Sequence, residues 1–142
     1  MDRLSYYTML YSIKNLNEIE ELKEEIKDKY GPLPVLVKRL IASAVLKHYA
    51  SHALFERIII QRKSIFIILP RGEKEDYYKI RFIELMRFIM DNFKDSVKFS
   101  QQKDVMKLVI NNNFENPERI LEFLVKFSRE VGELFEQNPV TV

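Results

Sequence analysis

The stretch Asn15-Leu16-Asn17-Glu18-Ile19-Glu20-Glu21-Leu22-Lys23-Glu24-Glu25-Ile26-Lys27-Asp28-Lys29-Tyr30-Gly31-Pro32-Leu33-Pro34-Val35-Leu36-Val37 reads as a helix, an enforced stop and a second helix, and it organises the chain. Asn15 and Asn17 are both good helix caps. Each is followed three residues later by a glutamate, Glu18 or Glu20, so two registers of a reciprocal cap are open. Leu16, Ile19, Leu22, Ile26 and Tyr30 recur at spacings of three and four and form one apolar stripe. At about 100° per residue, Glu18, Glu21, Glu25 and Asp28 fall nearly opposite, so the helix carries an acidic ridge away from its core. Gly31 can adopt the left-handed backbone that ends a helix. Pro32 and Pro34 forbid continuation, and Pro34 can open the next helix.

With 142 residues, 46% apolar and 31% charged, the chain is long enough for one core and too apolar for wholesale disorder. We expect a single domain over residues 1–136 and a loose polar tail over 137–142. A net charge of +2 gives no strong pull toward polyanions. The absence of cysteine excludes a disulfide frame, a thiolate metal site and thiol catalysis, and it suits a reducing compartment. Met1 to Ser12 lacks the pattern of a secretion signal, and no apolar run approaches membrane-spanning length. The expectation is a cytoplasmic protein with no membrane partner. Leu4, Tyr7, Leu10 and Tyr11 already show helical spacing, as in a piece of a longer protein.

Downstream, Leu36, Val37, Leu40, Ile41 and Ala44 extend the second helix to about Ser51. Phe55 to Gln61 and Ile65 to Leu69, separated by Arg62, Lys63 and Ser64, read as a hairpin. Because neither run alternates, its strands are expected to be covered on both faces. A helix from about Glu75 to Phe93 carries apolar residues most of the way round, as a wedged helix or a docking surface would. Asp95 to Gln101 and Lys103 to Asn111 form a second hairpin. Asn116 and Pro117 start a last helix with the stripe Ile120, Phe123, Leu124, Phe127, Val131 and Leu134. The sum is an α+β fold, a mainly antiparallel sheet of two hairpins packed with about five helices.

Motifs for chemistry are sparse. His48 and His52, with Glu56 four residues on, have zinc-ligand spacing. Tyr49 stands where a metalloprotease glutamate belongs, however, and Glu56 falls past the expected helix end, so a packed histidine pair is the better reading. Glu24 and Glu25 point about 100° apart on a helix and cannot share a substrate. The three glycines, Gly31, Gly72 and Gly132, are too scattered for a phosphate loop. No catalytic residue, metal site or cofactor is therefore expected. Lys38, Arg39, Arg62, Lys63, Arg71, Lys79, Arg81 and Arg87 could serve nucleic acid, but they are dispersed among acids.

Glu24-Glu25-Ile26-Lys27-Asp28-Lys29-Tyr30-Gly31-Pro32-Leu33-Pro34, followed by Val37, resembles the signature of the C-terminal, or TRCF, domain of bacterial transcription-repair coupling factor. The resemblance is clear from Leu16 to Leu46 and weaker to Leu69. It implies a non-catalytic regulatory clamp. In the family, a DNA-translocating motor acts on RNA polymerase, a UvrB-like module recruits UvrA, and the C-terminal domain packs on that module to hide the UvrA-binding surface. By this resemblance Glu25 and Asp28, with Glu21 and Lys29 beside them, face arginines of the UvrB-like module. Lys29 stands where the family usually has arginine and cannot make the same planar fork, whereas Tyr30 for phenylalanine is a minor change. The alternative function is a nucleic-acid-binding accessory domain of a DNA repair protein.

Overall fold

The computed structural model describes residues 8–10 and 15–138. Helix α1 spans Leu16–Tyr30, and of the two cap registers the chain uses Asn15, whose side-chain oxygen accepts from the Glu18 amide at 3.1 Å. Ile19, Leu22 and Ile26 are its buried residues. Gly31, at φ 81°, closes it, and its amide donates to the Lys27 carbonyl. Helix α2 spans Val35–His52 with Pro34 as the residue before its first turn, so the proline sits one position earlier than expected. Its extended ψ of 157° leads the chain into the helix without being part of it.

Strands β1 (Arg57–Ile60) and β2 (Ser64–Ile68) form the first hairpin, and β3 (Val97–Gln102) and β4 (Val105–Asn111) the second. The four-stranded sheet has the order β1-β2-β4-β3 and is antiparallel throughout, so the hairpins meet along β2 and β4. Between them, helix α3 spans Phe82–Asn92. It is preceded by a π segment, Tyr77–Arg81, in which the Phe82 amide reaches the Tyr77 carbonyl five residues back. Helix α4, Pro117–Gln137, is capped by Asn116, whose side chain accepts from the Arg119 amide at 3.0 Å.

One side of the sheet bears the main core. Ile65, Ile67, Leu69, Leu108, Ile110 and Val97 lie against Leu85 and Ile89 of α3 and Leu124, Phe127 and Val131 of α4. Phe127 is fully enclosed, with the rings of Phe55, Phe93 and Phe123 centred 5.3–6.0 Å away. The expectation that the first hairpin is covered on both faces fails. Register places Arg57, Ile68, Lys107 and Ser100 in one outward row and Ile59, Phe66, Val109 and Lys98 in the next. These apolar residues are half-buried, packing across the strands on one another and, at Phe66, under the Lys107 stem, and none is buried as the inward row is. Non-alternation here reflects an apolar strip on the open side, which periodicity cannot distinguish from a second core.

The apolar residues of α3 also divide. Leu85 and Ile89 are buried, while Ile83, Met86 and Met90, with Ile80 of the preceding π segment, are 38–53% exposed, so the helix is not wedged on all sides. A second cluster is separate from the main core: Leu10, Ile19, Leu22 and Ile26 meet Val37 and Ile41 at the start of α2. Helix α2 thus belongs to both clusters, giving Leu46 and Ala50 to the main one. Leu4, Tyr7 and Tyr11 of the expected first helix, and the tail from Pro139, lie outside the described residues.

Candidate functional site

Helix α1 is an outlying strut. Its buried side rests on α2, and its opposite side is formed by Glu18, Glu21, Glu25 and Asp28, all exposed. Fifteen residues of helix make a straight face about 22 Å long, so these carboxylates are held at fixed spacing without a loop to order. Glu21 and Glu25 are one turn apart, and Asp28 follows at the next turn, so three of the four residues expected at the site share a line. Lys29 lies at the edge of that line, with its ammonium 5.7 Å from the Tyr30 ring centre. Tyr30 in turn packs on the small cluster. The cation is therefore anchored beside the acids, at the end of the helix where positive charge is favourable. Chemically the ridge is a rigid row of hydrogen-bond acceptors suited to guanidinium or ammonium donors.

Other candidates separate in space. The His48 and His52 rings are 4.5 Å apart between centres. The helix ends at His52 and the chain turns at Ala53 and Leu54, which takes Glu56 off the helical face. Among the described residues no group of three histidine, cysteine or acidic side chains could hold a metal ion. The basic residues are scattered and partly engaged: Arg39 Nε meets Glu118 Oε1 at 2.7 Å, Arg81 meets Glu84 at 3.0 Å, and Lys79 meets Glu75 at 3.7 Å. The hydrogen bond from Arg39 holds the Glu118 carboxyl below its ordinary range. What sequence reading missed is the outward side of the sheet, where Arg57, Lys98 and Lys107 surround apolar residues and no carboxylate occupies an outward strand position. No spacing in the chain reports this, because it arises from the pairing of β2 with β4.

Among the described residues no helix is long and apolar enough to cross a membrane. The family model for the TRCF domain matches residues 1–80, more than half of the chain. The chain belongs to the TRCF domain family. That match takes in α1, α2, the first hairpin and the π segment up to Ile80, and so includes the whole acidic ridge. The fold of this TRCF domain is also that of a solved "C-terminal domain of transcription-repair coupling factor". The likeness has a TM-score of 0.75 at 22% identity and covers 96% of this chain and 83% of the other. The shared architecture therefore runs past the family match, through the second hairpin and α4. No curated protein matches the chain.

Proposed function

We propose that this TRCF domain is a non-catalytic regulatory module of a transcription-repair coupling factor, in which it clamps the UvrB-like module of the same parent protein and masks the UvrA-binding surface. The motor that hydrolyses ATP, moves on DNA and displaces RNA polymerase would lie in other parts of that parent. The observation that carries this reading is the rigid, exposed acidic face of α1, which lies opposite the apolar stripe that packs on α2. Glu25 and Asp28 would receive charge-assisted bonds from arginines, with Glu21 extending the row and Lys29 meeting an acid or carbonyl at its edge. Such polar contacts suit a clamp that must both hold and release, because a few kcal/mol of differential contact decides which state is populated. Residues 1–136 would act as one unit in this role.

Calorimetric titration against the separately expressed UvrB-like module tests it, with the Glu25→Ala, Asp28→Ala double variant alongside. The expected result is binding that the double variant loses while its circular dichroism is unchanged. Binding indifferent to both substitutions would remove the ridge from the interface. A second reading, nucleic-acid binding, is favoured by the cationic outward side of the sheet with Phe66 at its centre. It requires affinity for single or double strands that falls steeply with salt and with loss of Lys98 and Lys107.

A further inference from the structure

A cavity of about 540 Å³ opens between the second half of α2, the start of β1 and the loop leading to the π segment. Its floor is apolar, from Leu46, Ala50, Phe55 and Ile58. Lys47, Arg57 and Lys74 stand around it against a single carboxylate, Glu56. Tyr77 also lines it. This side chain is 6% exposed, and its hydroxyl has no hydrogen-bond partner, which is costly for a buried phenol unless something supplies one.

Leu54 sits on the rim in a conformation that leucine resists. The end of α2 closes with the Phe55 amide on the Ala50 carbonyl and the Leu54 amide on the Ser51 carbonyl, and Leu54 lies at φ 62°. This is the position at which helices favour glycine. The chain instead keeps a large apolar side chain there and leaves it 44% exposed. Strain accepted in order to present a side chain points to use of that side chain.

The neighbouring strand is open. Among the described residues β1 ends the sheet. Because the Gln61 amide pairs with Ser64, antiparallel alternation turns the backbone groups of Ile58 and Ile60 away from β2. The strand carries three isoleucines and only Arg57 as charge, whereas the opposite edge, β3, is protected by Lys98 and polar residues.

We infer that this edge and cavity form a docking site for an extended protein segment in which acidic residues alternate with aliphatic ones, added to the sheet as a fifth strand beside β1. Backbone groups of Ile58 and Ile60 pair with the segment. Its aliphatic side chains enter the cavity under Leu54 beside Ile58, and its carboxylates, alternating to the other face, meet Arg57, while Lys47 and Lys74 at the cavity rim keep the approach positive. The site is distinct from the α1 ridge, so it stands whether or not the clamp reading does.

The test is selection of a displayed random nonapeptide library on the full chain, followed by fluorescence anisotropy with a labelled synthetic copy of the most enriched sequence. Enrichment of alternating acidic and aliphatic residues is expected. Leu54→Gly should weaken the synthetic peptide about tenfold, the value of one partly buried leucine. It should also raise Tm by about 3 °C, because glycine relieves the strained backbone. Loss of binding together with gained stability separates contact from misfolding. Bound peptide should slow amide exchange at Ile58 and Ile60. Failure to enrich any sequence, equal binding to Leu54→Gly, or protection elsewhere would overturn the proposal. So would a dimer in sedimentation that itself protects Ile58 and Ile60, since the edge would then belong to a second copy.

Discussion

Truncating Leu22 to alanine probes how α1 is held. Leu22 is 3% exposed and lies in the small cluster, which among the described residues joins the main core through α2. A free helix of this length is marginal in water, so α1 depends on burying Ile19, Leu22 and Ile26, each worth about 2 kcal/mol. Leu22→Ala removes about 3 kcal/mol once the residual cavity is included, close to half of that support. The main core, with Phe127 and Leu108 fully buried, contains none of these residues. The expected outcome is therefore local: faster amide exchange throughout Leu16–Tyr30, a loss of helical signal at 222 nm equivalent to that helix, and a main thermal transition in the near ultraviolet that moves by less than about 2 °C. A single coincident transition, displaced by the whole 3 kcal/mol in every probe, would refute the view that α1 is a separately stabilised element.

Two further substitutions test the packing of α4. Ser128 is fully buried and its hydroxyl has no partner, so Ser128→Ala should raise stability by about 1 kcal/mol, read as a higher urea midpoint at unchanged slope. Arg39→Ala should move the Glu118 titration, followed by carboxyl carbon shifts, upward toward the ordinary glutamate range, because the largest lowering contact is removed. Because the folded value is lowered, whatever the pair contributes is present above the unfolded pKa and lost as pH falls through the folded one. An acid titration of stability should show a larger loss in the wild type than in the variant.

Much of this architecture is legible in the chain because local rules and packing agree. Asn15, Gly31, Asn116 and Pro117 mark helix ends at which the backbone needs those residues, and the stripes of α1 and α4 are the surfaces they bury. The acidic ridge is legible for the same reason, as the complement of a clean stripe. The side of the sheet left open is not. Ile58-Ile59-Ile60 looks the same whether Ile59 meets a helix or meets Phe66 and Val109 across the strands, and only the order β1-β2-β4-β3 decides. Leu54 is equally silent, since nothing in Ala53-Leu54-Phe55 signals that a leucine occupies a glycine position.

The π segment at Tyr77–Arg81 gives the chain something no side chain supplies, a surplus backbone residue absorbed within a helical turn. At its start, Tyr78 donates its hydroxyl to the Pro70 carbonyl and Tyr77 closes the cavity wall, and downstream Leu85 and Ile89 enter the core. One regular helix cannot satisfy both ends, because removing a residue rotates one end against the other by about 100°. Deleting Ile80 would therefore act as a change of phase. With α3 held by its core residues, the tyrosines would swing off the Pro70 loop and the cavity would lose a wall, although no residue lining it had been altered.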